Sequence, residues 1–333
     1  MKIMDCTLRD GANVVGKGFP ADLTDMILRG LIQNGVSVIE YGNAGGIGAY
    51  EVSNYIAPLT DLEYLELAQP YMDKAEIGMF LNAKRCREKN VALGAEKGLS
   101  FLRVGADAGE SAMSIPAVKL VKQYGLKAQY SLMKAYVLPP KELAEEGRRL
   151  QDAGVDAMTI MDSAGTMTPE MTAEYVETLS QAVSVPVGFH SHNNLGLAVA
   201  NAQAAAEHGA QLIDCGLLGM ARSAGNIATE LAVAVLQRQG MATEVDLFGL
   251  LGFLDRELIP AMAEHNYRPA VTPEELVLGY AGCHSSFMKQ LRETAKRKQV
   301  DLYRLIVEVS RQDRKAPSQE LMDRIADQLA AEV

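Results

Sequence analysis

The chain has 333 residues, 48% of them hydrophobic and 22% charged, a globular composition that excludes intrinsic disorder and can fill a large core. Forty-two acidic against 32 basic residues leave a net charge of −10, which argues against a nucleic-acid footprint or an anionic membrane surface. No window approaches the ~18 uninterrupted apolar residues of a membrane span.

The opening Met1-Lys2-Ile3-Met4 leads straight into a strand-like run, with no basic or apolar leader segment. The four cysteines (Cys6, Cys86, Cys215, Cys283) have no CxxC spacing. A reducing, cytoplasmic address is expected.

In chain order, a first strand near residue 2 is followed by a helix whose Leu23, Met26, Ile27 and Leu31 share one face. A junction then recurs in which a polar, helix-like segment ends in Gly and an apolar run follows at once. It appears at Gly35, Gly98, Gly125, Gly154 and Gly209, the pattern of a left-handed helix C-cap feeding a buried strand. With IGMFLN near 77 and VPVGFH near 185, strands are predicted to start near 2, 36, 76, 101, 127, 157, 186 and 212. Thr168-Pro169-Glu170 has the chemistry of a helix start.

Eight evenly spaced βα units predict a TIM (β/α)8 barrel over residues 1–240. Residues 241–333 carry apolar stripes such as Leu302, Leu305, Ile306 and Val309 and read as an appended helical region. No GxGxxG follows the first strand, so nothing supports dinucleotide binding over closure of the barrel.

Chemistry in such a barrel sits at the C-terminal strand ends. Arg9-Asp10 ends strand one, His190-Ser191-His192 ends strand seven, and Ser223-Ala224-Gly225-Asn226 follows strand eight. Residues i and i+2 of a strand share a face, so both imidazoles can enter the barrel mouth. Two imidazoles and a carboxylate with open positions suit a divalent metal, Mn, Zn, Fe(II), Co or Mg. Asp10, His190 and His192 are the candidate ligands, against the alternative of hydrogen-bonded core histidines.

Arg9 suits an enolate or carboxylate oxygen, or a structural ion pair across the mouth. Asn226 is either a fourth ligand through its amide oxygen or the N-cap of a helix beginning at Ile227. Ser163 can hydrogen-bond an anionic substrate or shape a turn. Asp162 and Glu40 stand where they could orient Arg9 or a ligand. Lys134, ending strand five, binds a substrate charge or solvent, or less simply acts as a Schiff-base nucleophile. Tyr136 stays unassigned.

DCTLRDG at 5–11, HSHNNLGLAVAN at 190–201 and SAGNIATE at 223–230 resemble the motifs of the DRE-TIM metallolyases, which include HMG-CoA lyase, isopropylmalate and homocitrate synthases and pyruvate-specific aldolases. LVLGYAGCHSSFMKQ at 276–290, with its amphipathic tail, resembles the 4-hydroxy-2-oxovalerate aldolases. The resemblance spans essentially the whole chain.

It implies that Asp10, His190 and His192 hold a divalent ion, commonly Mn, on which a 2-oxo acid binds. It further implies that Arg9 stabilises the pyruvate enolate, that Ser163 helps hold the carboxylate, and that an acylating aldehyde dehydrogenase meets the region after residue 240. A homo-oligomer is expected by the same analogy.

Two departures stand out. The aldolases carry a His three residues after the metal Asp as base for the 4-hydroxyl, where this chain has Asn13, and an amide is no general base near neutral pH. They also carry a Tyr where His284 stands. His284 is therefore a candidate for proton transfer, for a changed acceptor, or for a structural loop position. The expected activity is a metal-dependent aldol cleavage or formation of a 4-hydroxy-2-oxo acid. The competing expectations are a Claisen-type acyl-CoA reaction on the same metal site, and a weakly active, partner-binding paralogue.

Overall fold

The structure is a computed structural model that describes residues 1–333 apart from 52–54, 242, 271, 282, 284–286, 314–315 and 332–333. Eight strands close one barrel: β1 (Lys2–Asp5), β2 (Val38–Tyr41), β3 (Glu76–Asn82), β4 (Phe101–Asp107), β5 (Lys127–Met133), β6 (Ala157–Asp162), β7 (Val187–Ser191) and β8 (Leu212–Cys215). Each pairs in parallel with the next, and β8 returns to β1 with Asp214 opposite Met4.

The outer ring is α1 (Ala21–Gln33), α2 (Asp61–Ala68), α3 (Glu88–Glu96), α4 (Ser111–Gln123), α5 (Pro140–Asp152), α6 (Pro169–Ala182), α7 (Ala198–Glu207) and α8 (Thr229–Arg238). The predicted strand starts lie within two residues of the observed ones. All five junction glycines have φ between +77° and +109°, the left-handed cap that a side chain would strain. On α1, Leu23, Ile27 and Leu31 are buried as expected, while Met26 is only partly so. Thr168 caps α6 by accepting from the Met171 amide.

The barrel interior is built in layers by the two-residue repeat of its strands. Met4, Val38, Phe101 and Leu212 form a small apolar cluster low in the barrel. Two residues further along the same strands come Cys6, Glu40, Arg103 and Asp214, all fully buried. An apolar floor therefore supports a charged layer just below the mouth. Gly78 leaves room for the Phe101 ring, which a Cβ there would meet at 2.3 Å.

Beyond the barrel lie α9 (Leu247–Phe253), α10 (Ile259–Ala263), α11 (Pro273–Ala281), α12 (Met288–Lys298), α13 (Leu302–Gln312) and α14 (Gln319–Ala331). Helix α9 packs on α1 and α8, α11 packs on α8 and α13, and α12–α14 pack together. On α13, Leu305, Ile306 and Val309 are buried as the stripe predicts, while Leu302 is only partly so. Among the described residues no helix is long and apolar enough to cross a membrane.

Candidate active site

Strand β1 stops at Asp5, so Arg9 and Asp10 do not end the strand. They sit on the turn after it, where the Arg9 and Asp10 amides both donate to the Cys6 carbonyl. That turn lifts both side chains over the charged layer. His190 lies within β7 and His192 one residue beyond it, where its backbone bridges Asn226. Each Nε2 is 3.8 Å from the same Asp10 Oδ2. The two rings stand edge to face, 5.4 Å apart.

The protonation pattern fits a cation. His192 Nδ1 lies 3.3 Å from the Gly225 carbonyl, which can only accept, so Nδ1 carries the proton and Nε2 presents a lone pair. Burial and the neighbouring His190 push the His192 pKa down to about 4. Burial opposes ionisation of Asp10, yet Arg9 and the two imidazoles outweigh it and hold the carboxyl below its usual range. Asp10 Oδ2 and two ring nitrogens thus converge with neither ring nitrogen at hydrogen-bond distance from the carboxylate.

Asn226 donates Nδ2 to Asp10 Oδ2 at 3.0 Å, while its own Oδ1 is buried and unpartnered. An orphaned amide oxygen beside two imidazoles and a carboxylate is the hard, mixed donor set of a divalent ion. Asp10, His190 and His192 are one of two groups among the described residues able to hold a metal. The other, Cys6, His190 and Asp214, is already filled by the guanidinium of Arg103. Asn226 is not a helix cap: α8 starts at Thr229 with Ala228 in the N-cap position.

Arg9 gives Nε to Glu40 at 2.6 Å and lies 3.2 Å from Asp10 Oδ1, with the Phe80 ring 5.5 Å away. The ion pair foreseen as an alternative exists, and it fixes the guanidinium at the cavity. Asp162 plays no part in orienting Arg9. It accepts from the Thr166 and Met167 amides and from Ser191, holding the loop after β6. Gly165 in that loop lets it lie against the His192 carbonyl, 2.4 Å from where a Cβ would be.

The mouth forms a cavity of about 400 Å³ that brings together Arg9, Asp10, Asn13, Lys134, Ser163, His190 and His192. Asn13 donates to the carbonyl and carboxylate of Asp10 at 2.9 and 3.3 Å. Ser163 Oγ accepts the Lys134 amide at 2.9 Å. Lys134 itself, exposed and bonded to Asp107 at 2.7 Å, has its pKa raised by that bond. That bond favours the ammonium form, so the geometry offers no support to a Schiff-base role. His284 lies outside the described residues.

Sequence reasoning passed over Lys17, Arg85 and Arg222, which line the same mouth. It also passed over Arg103 and Asp214 beneath it, although a charge inside an apolar strand run was a visible signal.

Residues 1–255 match the HMGL-like family and residues 269–331 the DmpG-like communication domain. The 4-hydroxy-2-oxovalerate aldolase 2 of Rhodococcus jostii is 35% identical over 330 residues, 98% of this chain and 95% of that protein. The 4-hydroxy-2-oxovalerate aldolase of Carboxydothermus hydrogenoformans is 34% identical, over 93% of this chain and 92% of its own. The crystal structure of Bacillus subtilis HMG-CoA lyase superposes with a TM-score of 0.67 at 18% identity, over 84% of this chain and 97% of that one, and shares the fold. A family match over most of the length and relatives at 34–35% identity establish that the chain belongs to the HMGL-like family, on its 4-hydroxy-2-oxovalerate aldolase branch, and is an enzyme of the lyase class.

Proposed function

We propose that the chain is a divalent-metal-dependent aldolase that cleaves or forms a 4-hydroxy-2-oxo acid by way of the pyruvate enolate. The observation that carries this reading is the convergence of Asp10 Oδ2 with the Nε2 atoms of His190 and His192 beside an Arg9 fixed by Glu40. Asp10, His190 and His192 would hold the ion, with Asn226 through its amide oxygen. Mn is the first candidate, with Mg, Co and Zn as alternatives. When bound, the ion supplies Lewis-acid polarisation of the 2-oxo group.

The remaining work falls to side chains. Arg9 has spent Nε on Glu40 and keeps further donors for the oxygen on which enolate charge develops, pre-oriented where water is scarce. The Ser163 hydroxyl already accepts the Lys134 amide, so its proton is free for the substrate carboxylate. In cleavage the C3–C4 bond breaks and its electron pair enters the enolate. The 4-hydroxyl proton leaves, and C3 is protonated to give pyruvate. Asn13 cannot take the hydroxyl proton, and His284 is proposed for that role.

Residues 241–333 are proposed as a separate helical region for an acylating aldehyde dehydrogenase, a reading supported by the match at 269–331. A homo-oligomer in the cytoplasm completes it.

The test is deuterium exchange of the pyruvate methyl protons on the Mn-loaded enzyme in D2O, followed by proton NMR. Exchange is expected to need the ion and to vanish in His190→Ala. In a Claisen reaction the acyl-CoA becomes the enolate and the 2-oxo acid is only the electrophile. Absence of exchange therefore overturns the aldolase reading, in favour of acyl-CoA donors or of a partner-binding role.

A further inference from the structure

The mouth is electropositive in a chain that is acidic overall. Five Lys or Arg side chains line it against two carboxylates, Asp10 and Asp107. Two of the cations are answered: Arg9 by Glu40 and Asp10, and Lys134 by Asp107. Arg222 has only a loose approach to Asp10, 3.8 Å from its carboxylate, and its side chain is 60% exposed.

Lys17 and Arg85 have no ion pair among the described residues. Lys17 rests its ammonium over the Tyr55 ring at 4.8 Å. Arg85 leaves Nη1 buried and without a hydrogen-bond partner. A guanidinium nitrogen withdrawn from water and left unpaired is costly unless an anion completes it.

Where these cations stand matters as much as their number. Lys17 follows β1 and Arg85 follows β3, so they flank the β2 side of the mouth. In a closed ring of eight, β2 lies across from β6, whose end carries Ser163. One anionic group of the substrate, the 2-oxo acid carboxylate, is accounted for on the Ser163 side. Nothing in 4-hydroxy-2-oxovalerate carries charge at its other end, since its aldehyde half is neutral acetaldehyde. Asn13, which stands where the resemblance places the base for the 4-hydroxyl, precedes Lys17 by four residues along the same loop. The path from C4 outward thus leads to Lys17 and Arg85.

We propose that the aldehyde half of the substrate bears its own anionic group, a carboxylate or a phosphate, bound by Lys17 and Arg85. This rests on the aldolase reading and names its substrate class: a 4-hydroxy-2-oxo acid with an acidic substituent beyond C4. Cleavage of the C3–C4 bond then gives pyruvate and an anionic aldehyde, with the hydroxyl proton released and one proton returned to C3. Arg85 matches a planar or tetrahedral oxyanion through paired donors, and Lys17 adds a point charge. The cavity lies within the ~300–1,000 Å³ of ordinary small-molecule sites, with room for such a substituent.

The experiment is aldol condensation of pyruvate by the full-length, Mn-loaded chain with matched aldehydes, following product by NMR. Succinic semialdehyde is compared with pentanal, and glycolaldehyde phosphate with glycolaldehyde. At least tenfold higher kcat/KM is expected for one anionic member over its neutral match, and which pair shows it distinguishes carboxylate from phosphate. Arg85→Gln and Lys17→Gln should each erase most of that preference by lowering kcat/KM for the anionic aldehyde far more than for the neutral one. Arg85→Lys, which restores charge, should recover part of it.

Equal use of charged and neutral aldehydes, a preference untouched in both Gln variants, or methyl exchange without condensation of any anionic aldehyde would overturn the proposal. Loss of methyl exchange in the parent enzyme would instead strike the aldolase reading beneath it.

Discussion

Arg103 ties the two working parts of the site together. Its guanidinium meets Glu40 with two parallel bonds, Nε at 2.8 Å and Nη2 at 2.6 Å, and pairs with Asp214 through Nη1. Glu40 in turn holds Arg9, and Asp214 lies 3.4 Å from His190 Nδ1. One buried cation therefore serves both the Arg9 guanidinium and a candidate metal ligand.

Taking one partner from a buried ionic network leaves the others charged and uncompensated, at a cost of about 3–5 kcal/mol. Arg103→Leu should accordingly lower the calorimetric midpoint by on the order of 10 °C. A fall under about 2 °C would show that Glu40 and Asp214 do not depend on it. The sequence signal was present, since Arg103 and Asp214 interrupt the apolar runs FLRVG and LIDC. Their pairing was not legible, because Glu40 and Asp214 lie 63 and 111 residues from Arg103 along the chain.

At the scale of elements, the loop between β8 and α8 brings Asn226 to the mouth and rests on two buried carboxyls. Asp5, at the end of β1, accepts from the Thr7 amide and the Thr229 hydroxyl at 2.8 and 2.7 Å. Glu230, in the first turn of α8, accepts from the Leu218 amide at 3.1 Å. Burial raises Asp5 to about 6 and Glu230 to about 7.

For Glu230 the folded pKa exceeds the ordinary 4.5, so between these values the folded state keeps a proton that the unfolded chain has lost. Stability from this group is therefore full below about pH 4.5 and falls away as pH rises through about 7. The loss is on the order of 3 kcal/mol. Glu230→Gln cannot titrate. Its midpoint, measured by calorimetry across pH 4.5–7.5, should rise relative to the parent as pH increases, and parallel profiles would refute the account. Nothing local in Ala228-Thr229-Glu230 foretold a buried acid, because a Glu in a first helical turn normally faces water.

Across the whole molecule, the barrel was legible because the βα units write their own punctuation: an apolar strand, a polar helix and, at five junctions, a glycine cap. The cluster of Asp10, His190 and His192 was legible for a similar reason, with Asp10 on the turn after β1 and the two histidines at the end of β7. The cationic side of the mouth was not, since Lys17 and Arg85 belong to loops that only barrel closure brings together.

Charge is also divided along the chain. The net −10 resides on residues 1–268, while 269–331 carry nearly balanced charges. A near-neutral surface carries no general repulsion toward an acidic partner, so affinity there should come from apolar contact. Where α9, α11, α13 and α14 meet, a groove of about 460 Å³ is lined by Phe248, Tyr280, Val307 and Leu329, with Arg304 and the Arg311–Glu308 pair at its charged edge. If this region receives the proposed acylating aldehyde dehydrogenase, Leu329→Glu places a charge where the partner would exclude water. Affinity measured by sedimentation should then fall at least tenfold, since a desolvated unpaired charge costs more than ~1.4 kcal/mol. Arg311→Gln at the rim should change it far less. The reverse order would move the contact from the groove to its charged edge.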